Sequence, residues 1–175
     1  MMRAPGDEYD AFYATYAGVV PDDDVLASLR AAPDQLERVL AGITGEHERF
    51  AYAAGKWSIR EVVGHVIDTE RVFGYRALHF ARGDTSELPG MEQDDWAAAS
   101  NAAERALAGL LREFRDLRAA NTTFFASLDD AVLARAGFAS GVSFTVRALA
   151  TIMAGHEIHH RRVLRERYVT ALGCG

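Results

Sequence analysis

The chain has 175 residues, of which 49% are hydrophobic and 25% charged, and its formal net charge is −6 at pH 7. These values are ordinary for a globular domain with one sizeable core. An acidic chain without a basic stripe is not expected to bind nucleic acid, and no apolar run approaches the roughly 20 residues that cross a bilayer. The first ten residues turn acidic at once and hold no apolar signal segment, so we expect a cytoplasmic protein.

The first third of the chain predicts short helical pieces. Aromatic residues recur at helical spacing over residues 9–16, which indicates a short amphipathic helix ending near Gly18. The acidic run over residues 22–24 would begin a second piece, because negative charge is favourable at a helix N-terminus. Pro33 is expected to interrupt that piece and to start a new helix.

A long helix is predicted next, and it carries a histidine. After a loop over residues 45–55, the sequence Ser-Ile-Arg-Glu that begins at Ser58 matches a capping box. The helix should therefore begin at Ser58 and end near Arg82, before a glycine. His65 shares one face of this helix with Thr69 and Arg76.

The following helix has the most regular apolar pattern of the chain. After a predicted loop over residues 85–92, apolar residues alternate spacings of four and three, as on the inward face of a bundle helix. Asn121 is the single polar member of this series, and would either fix the register of the helices or line an internal cavity. The eight positions are Ala103, Leu107, Leu110, Phe114, Leu117, Asn121, Phe124 and Leu128.

The last predicted helix carries a histidine pair. A glycine-containing loop should lead to Ser143 as the N-cap of a helix over residues 143–168. His156 and His160 are four residues apart, so their imidazoles share a face, and Arg167 falls on the same stripe. This stripe is otherwise apolar and is expected to point inward, where an unpartnered polar group costs roughly 1–3 kcal/mol.

The histidines predict a metal site. Four long helices imply a four-helix bundle, in which facing helices build metal sites from inward side chains. A third nitrogen from His65 would complete a tripod with His156 and His160, and would leave a coordination position for water or substrate. Zinc, nickel or iron suit such ligands. This geometry favours a divalent metal over histidines that are merely buried and hydrogen-bonded.

A peptidase is a competing interpretation, because His156, Glu157 and His160 form the HExxH pattern of zinc metalloproteases. A metalloprotease would take its third ligand from well downstream, whereas Glu166 is the only carboxylate after His160. The sequence also shows no strand-rich segment that could hold an extended peptide. The peptidase is therefore less favoured, and Glu157 is expected to be a solvated or helix-packing carboxylate.

Two motifs carry a resemblance to a known family. The segment GKWSIREVVGHVIDTER at residues 55–71 resembles the second-helix signature of the DinB-like (DinB/YfiT) superfamily. The segments SFTVRAL at residues 143–149 and AGHEIHH at residues 154–160 resemble its last-helix signature. The resemblance covers residues 25–168, and both motifs agree in order and spacing. It implies an all-α, four-helix bundle of unusual connectivity that holds a divalent metal through His65, His156 and His160.

We accordingly divide the chain into an N-terminal helical extension, residues 1–20, and a DinB-like domain, residues 21–170. The resemblance implies a thiol-dependent S-transferase or isomerase that uses bacillithiol, mycothiol or glutathione. We expect metal-dependent transfer of such a thiol to a small electrophile, since coordination lowers the pKa of a thiol. Candidate catalytic residues are Asp68 and His159, and candidate cofactor-binding residues are Arg76, Asn121 and Arg167.

The alternative function is a non-enzymatic, metal-binding or stress-related helical protein. In either case we expect a homodimer, with no nucleic-acid or membrane partner, and the enzyme would bind a small-molecule substrate. A cavity beside His65 lined by Asn121 and Arg76 would favour the enzyme. A site filled by aromatic side chains would favour the binding protein.

Overall fold

Four long helices form a bundle, as the sequence predicts. The computed structural model describes residues 1–21 and 24–173. In chain order, its α-helices are α1 (Ala14–Ala17), α2 (Val25–Val39), α3 (Ile59–Ala81), α4 (Gln93–Ala99), α5 (Leu107–Ala126), α6 (Asp130–Leu133), α7 (Val146–Val163) and α8 (Thr170–Leu172). The long helices α2 and α3 each pack against both α5 and α7. The four helices therefore close into a ring around one interior.

Shorter elements connect the helices. Short 3₁₀ turns occur at Ala11–Tyr13, Gly45–Arg49 and Ala102–Glu104, and the π-helical turn Leu164–Val169 continues α7. Two antiparallel strands, β1 (Ala136–Ala139) and β2 (Val142–Thr145), form a hairpin. Within the described residues, no helix has the length and apolar character needed to cross a membrane.

The interruption expected at Pro33 is wrong, because α2 runs through it without a break. Proline lacks the N–H that would donate to the carbonyl four residues earlier, and its ring crowds that carbonyl, but Pro33 is buried beside the core residues Leu29 and Leu36. Packing of this face outweighs the lost hydrogen bond. Asp24 caps the helix by accepting from the Ala27 N–H, whereas Asp22 and Asp23 of the acidic run lie outside the described residues.

Both ends of α3 are where the sequence places them. The hydroxyl of Ser58 accepts from the Glu61 N–H at 3.3 Å, and the Glu61 carboxylate accepts from the Ser58 N–H at 2.7 Å, which completes the capping box. The helix ends at Ala81 with Arg82 as its C-cap. Local sequence alone sets these boundaries, because capping satisfies the first free amides of the helix.

The inward face of α5 departs from the predicted series after Phe114. Leu117, Asn121 and Phe124, the next positions of the series, are only partly buried. The first and last positions, Ala103 and Leu128, lie outside α5. A helix with 3.6 residues per turn drifts from a strict seven-residue repeat, and a buried ion pair of Arg118 reinforces the shift. The positions buried instead are Arg118, Thr122 and Phe125.

The β-hairpin is the main element that the sequence analysis missed. Its four-residue strands are too short to show a clear period-two pattern, and its turn places Ser140 and Gly141 at positive φ, 56° and 76°. The expected cap at Ser143 is also wrong. Thr145 caps α7 by accepting from the Ala148 N–H at 3.0 Å, because strand β2 occupies the preceding residues.

The N-terminal extension packs directly onto α7. It is helical over residues 11–17 and ends at Gly18, as expected. A Cβ atom at Gly155 would lie 1.9 Å from the carbonyl oxygen of Tyr16, so only glycine permits this approach. The Ala4 N–H also donates to the buried Thr151 hydroxyl. The division of the chain at residue 20 stays a prediction.

The apolar core has two parts with a polar layer between them. One part contains Leu29, Phe80 and Leu149, and the other contains Leu36 and Phe114. Buried polar side chains occupy the intermediate turns of α3, α5 and α7. These are His65, Thr69, Glu70, Arg118, Thr122, His156 and Glu157.

Candidate metal centre

Three histidine nitrogens meet in the polar layer. Helix α3 supplies His65, and helix α7 supplies His156 and His160. The Nε2 atom of His156 lies 3.1 Å from Nε2 of His65 and 3.1 Å from Nε2 of His160. One ligand atom from each of the three residues lies within 4.8 Å of the others. The structure thus brings together the three histidines singled out in the sequence.

Aromatic rings hold the histidines in place. The Trp57 ring lies 4.8 Å from the ring of His65, and the Tyr16 ring lies 5.4 Å from that of His156, both measured between centroids. Phe73 approaches His156 edge-on at 6.2 Å. These contacts come from the segment before α3, from the N-terminal extension and from α3 itself, so three parts of the chain fix the orientations of the His65 and His156 imidazoles.

Burial keeps the three imidazoles neutral. It lowers the pKa of His65 to about 4 and that of His160 to about 3. Burial, reinforced by the neighbouring histidines, lowers the pKa of His156 well below its usual value. Neutral imidazole is the form that binds metals, so all three nitrogens are available as ligands at pH 7.

The donor set fits a divalent metal. Ligand nitrogens about 2.0–2.1 Å from a tetrahedral zinc lie roughly 3.3 Å apart, close to the two 3.1 Å separations in this cluster. Imidazole nitrogen suits zinc, nickel and iron alike. His65, His156 and His160 would therefore hold the metal.

A second buried cluster lies in the same layer and was missed in the sequence analysis. Arg118 donates to both carboxylate oxygens of Glu70, at 2.8 and 2.6 Å, and both side chains are 1% exposed. Asn121 donates to the same carboxylate at 3.0 Å. Asn121 is thus bound to this ion pair and does not line the cavities beside the histidines. Hydrophobic patterning could not reveal Arg118, because arginine is normally assigned to the surface.

Glu157 lies in the same polar layer as this ion pair. The solvated environment that was one of the two expectations for this carboxylate is therefore wrong. The residue is 1% exposed, and its carboxylate accepts from Arg161 Nε at 2.8 Å. Burial raises its pKa, while the charges of Arg161 and Arg118 oppose the rise. Because Glu157 is held by Arg161 and the third histidine comes from α3, the arrangement does not match the HExxH peptidase pattern.

One cavity opens beside His65 and His156. It has a volume of about 330 Å³, and we call it the Arg76 cavity. Arg76, only 4% exposed, donates to the Pro89 carbonyl and to the Ser140 hydroxyl, each at 2.9 Å. The walls of this cavity include Tyr13, Tyr16, His65, Thr69, Arg76 and His156.

A second cavity opens beside His160. It has a volume of about 630 Å³, and we call it the Trp57 cavity. Arg167 lies 5.4 Å above the Tyr52 ring at its wall. The candidate His159 also lines it and is exposed. The principal residues are Tyr52, Lys56, Trp57, His159, His160 and Arg167.

The remaining candidate, Asp68, is not brought into either cavity. It lies 4.0 Å from Arg71 and lines a separate depression with Trp96. Gln93, by contrast, lines both cavities although the sequence analysis did not single it out. The acidic residues that follow it, Asp94 and Asp95, are a helix-start signal that could have predicted α4.

The sequence matches a known protein family over most of its length. The model of the DinB superfamily matches residues 28–164. The chain belongs to the DinB superfamily. This confirms the resemblance seen in the two helix signatures.

One curated protein and one solved structure are similar to this chain. A protein of Geobacillus thermodenitrificans described as "Putative metal-dependent hydrolase" is 23% identical over 137 residues, which are 77% of each chain. The structure described as "YfiT from Bacillus subtilis is a probable metal-dependent hydrolase with an unusual four-helix bundle topology" aligns with a TM-score of 0.74 and 17% identity. That alignment covers 89% of this chain and 94% of the other. At this identity the structural likeness shows a shared fold.

Proposed function

We propose that this DinB-superfamily protein is a metal-dependent enzyme that transfers a low-molecular-weight thiol to a small electrophile. The observation that carries the proposal is the position of the histidine cluster, where His65 and His156 line one cavity and His160 lines another. A purely metal-storing site would need no adjoining space, whereas cavities of about 330 and 630 Å³ are in the range that binds small molecules.

A divalent metal bound by the three histidines would act as a Lewis acid and lower the pKa of a bound thiol. Other side chains of the protein form the surroundings of the metal site. The rings of Trp57, Tyr16 and Phe73 pack against His65 and His156. Arg76 and Arg167 supply positive charge in the two cavities, which suits thiols and substrates that carry carboxylates.

In the reaction, the thiol loses its proton, its sulfur forms a bond with an electrophilic carbon, and the leaving group departs with the bonding electron pair. His159, at the rim of the Trp57 cavity, would accept the proton. Burial, and to a lesser extent the charge of Arg162, lower its pKa, so the imidazole is mainly neutral at pH 7. Of the two catalytic candidates from the sequence, His159 fits the geometry better than Asp68.

Hydrolysis is the second candidate function, because the Geobacillus thermodenitrificans protein is described as a "Putative metal-dependent hydrolase" and YfiT as "a probable metal-dependent hydrolase". Water would then replace the thiol as nucleophile, and a single cavity would be enough. The homodimer and the cytoplasmic location expected from the sequence stay proposals, to be tested by light scattering and by fractionation.

Metal analysis and parallel assays test the proposal. Protein purified without an affinity tag and loaded with zinc, nickel or iron should bind close to one metal per chain. The loaded protein should then consume bacillithiol, mycothiol or glutathione in the presence of an epoxide or alkyl halide, and chelation should stop the reaction. Failure to bind any of the metals would exclude the site. Ester or amide hydrolysis without thiol consumption would favour the hydrolase.

A further inference from the structure

We propose that the two cavities bind the two reactants separately. The Arg76 cavity takes the electrophile, which carries a carboxylate, and the Trp57 cavity takes the thiol. This inference rests on the proposed S-transferase function and adds to it the place of each reactant and the charge of the electrophile. It also distinguishes the transferase from a hydrolase, which has only one organic reactant to bind.

The Arg76 cavity is built to bind an anionic group. Arg76 is almost fully buried, and two neighbours in different loops, Pro89 and Ser140, fix its guanidinium. Ser140 holds a positive φ of 56°, which is uncommon for a residue other than glycine, while its hydroxyl accepts from Arg76. A fixed, buried guanidinium binds a carboxylate strongly and with defined orientation.

Thr69 provides a second observation in the same cavity. The residue is 4% exposed and lines the cavity one helical turn beyond His65. Its Oγ1 atom has no hydrogen-bond partner within the described residues, although buried hydroxyls are normally paired. The Oγ1 atom is closed to solvent in this conformation, so a rotation of the side chain about χ1 would bring it to a polar atom of a bound substrate. His65, Thr69 and Arg76 lie along one face of α3, so a substrate bound to Arg76 would extend toward the histidines.

The Trp57 cavity has a different character. It is about twice as large, and its two cationic residues, Lys56 and Arg167, are exposed. Tyr52, Trp57 and Tyr168 contribute ring surface to its wall, and the Tyr168 hydroxyl donates to the Trp57 carbonyl at 2.8 Å. Low-molecular-weight thiols are extended and polar, and bacillithiol and glutathione carry carboxylates, so they match a roomy cavity with cations at its rim better than the smaller cavity with its buried arginine.

The histidine cluster lies where the two cavities meet. His65 and His156 line the Arg76 cavity, His160 lines the Trp57 cavity, and Gln93 borders both. The Trp57 ring packs on His65 from the larger cavity. Reactants that enter from the two sides would therefore approach each other at the cluster without competing for the same space.

Binding measurements on the zinc-loaded, full-length protein test this arrangement. The variant Trp96→Phe leaves Trp57 as the single tryptophan, so its fluorescence reports on the Trp57 cavity. The probes are the unreactive S-methyl derivatives of bacillithiol, mycothiol and glutathione for the Trp57 cavity, and 3-phenylpropionate, followed by calorimetry, for the Arg76 cavity. We expect at least one thiol derivative to quench Trp57 and both classes of probe to bind at once.

Substitutions should then separate the two cavities. We expect Arg76→Gln to weaken 3-phenylpropionate about tenfold or more while leaving the thiol derivative unaffected, and Arg167→Gln to do the reverse, since each removes one charge-assisted contact. Thr69→Val is a second test of the Arg76 cavity, for the case in which Arg76→Gln does not fold. It removes only the unpartnered hydroxyl and should also weaken 3-phenylpropionate. Arg165→Gln, an exposed neighbour of Arg167, is the matched control and should leave both probes unchanged.

Competition between the two probes, or a failure of 3-phenylpropionate to bind, would overturn the arrangement. So would Arg76→Gln and Arg167→Gln weakening the same probe. These failures are distinct from failure of the proposed function, in which the metal-loaded protein would consume none of the three thiols and none of their derivatives would quench Trp57.

Discussion

The polar layer of the bundle contains two buried clusters of polar side chains, and they are stabilised in opposite ways. In the first, Glu70 and Arg118 carry full charges that neutralise each other through two hydrogen bonds. In the second, burial keeps the three histidines neutral, and their nitrogens face one another beside open cavities. A buried polar cluster therefore indicates a metal-binding site when several ligand nitrogens face one another beside a cavity, and a structural contact when a guanidinium and a carboxylate pair with each other.

The largest expected effect is on metal binding. Replacing His65, His156 or His160 by alanine removes a metal ligand. The loss of affinity should therefore exceed the roughly 10–100-fold that follows removal of a residue hydrogen-bonded to a ligand. Binding should become undetectable when two of the histidines are replaced. The helical fold should remain, because the two apolar clusters do not depend on the metal. Metal titration and circular dichroism measure both properties.

His47 and His79 serve as controls for the histidine substitutions, since both lie outside the cluster. Their alanine variants should keep the affinity of the parent protein. Full metal affinity in His65→Ala combined with its loss in His156→Ala would show that the third ligand comes from elsewhere in the chain, with Glu166 the first residue to test.

The second prediction addresses the ion-pair cluster. Arg118→Ala leaves the carboxylate of Glu70 buried without its cation and should destabilise the protein by about 3–5 kcal/mol, with little change in metal affinity in whatever fraction remains folded. Urea denaturation gives the stability. Arg115→Ala is the matched control, because its ion pairs with Asp34 and Glu37 are at the surface and should contribute little. Equal losses for the two variants would contradict the difference in burial.

The third prediction concerns pH. The folded pKa of His65, about 4, lies below its ordinary value of 6.5, so the unfolded metal-free chain binds more protons between these two values. The stability of the metal-free protein should accordingly fall as the pH decreases from 6.5 to 4, by about 3 kcal/mol for this residue alone. The free energy of unfolding should be measured against pH for the parent protein and for His65→Ala. The difference between the two curves separates the contribution of His65 from that of the titrating carboxylates, which both proteins share. A difference that stays constant with pH would contradict it.

The smallest effect compares two threonines, one beside each cluster. Thr122 donates its hydroxyl to the Arg118 carbonyl at 2.7 Å, whereas the Thr69 hydroxyl has no partner in the described part of the chain. Thr122→Val should cost about 1 kcal/mol, and Thr69→Val should be neutral or slightly stabilising, because no hydrogen bond is lost. Thermal unfolding of the two variants side by side measures this difference, and a larger loss for Thr69→Val would show that its hydroxyl is already satisfied.

The histidine cluster could be predicted from the sequence because two local sequence patterns specify it. The spacing of His156 and His160 fixes a shared helix face, and the capping box at Ser58 fixes where the helix of His65 begins. Arg118 was not accessible, since its burial depends on Glu70, which lies 48 residues earlier in the chain. The same holds for Pro33 and for Gln93, whose environments are set by packing between distant segments.

The boundaries of the family match have a consequence for how substrates should be inferred within the superfamily. The matched residues, 28–164, contain all three histidines and Arg76, but Tyr13, Tyr16 and Arg167 lie outside them. Parts of the walls of both cavities thus come from segments that membership of the superfamily does not specify. Two members can share the same metal-binding core and differ in the molecules they admit, so the reaction of one is a weak guide to the substrate of another.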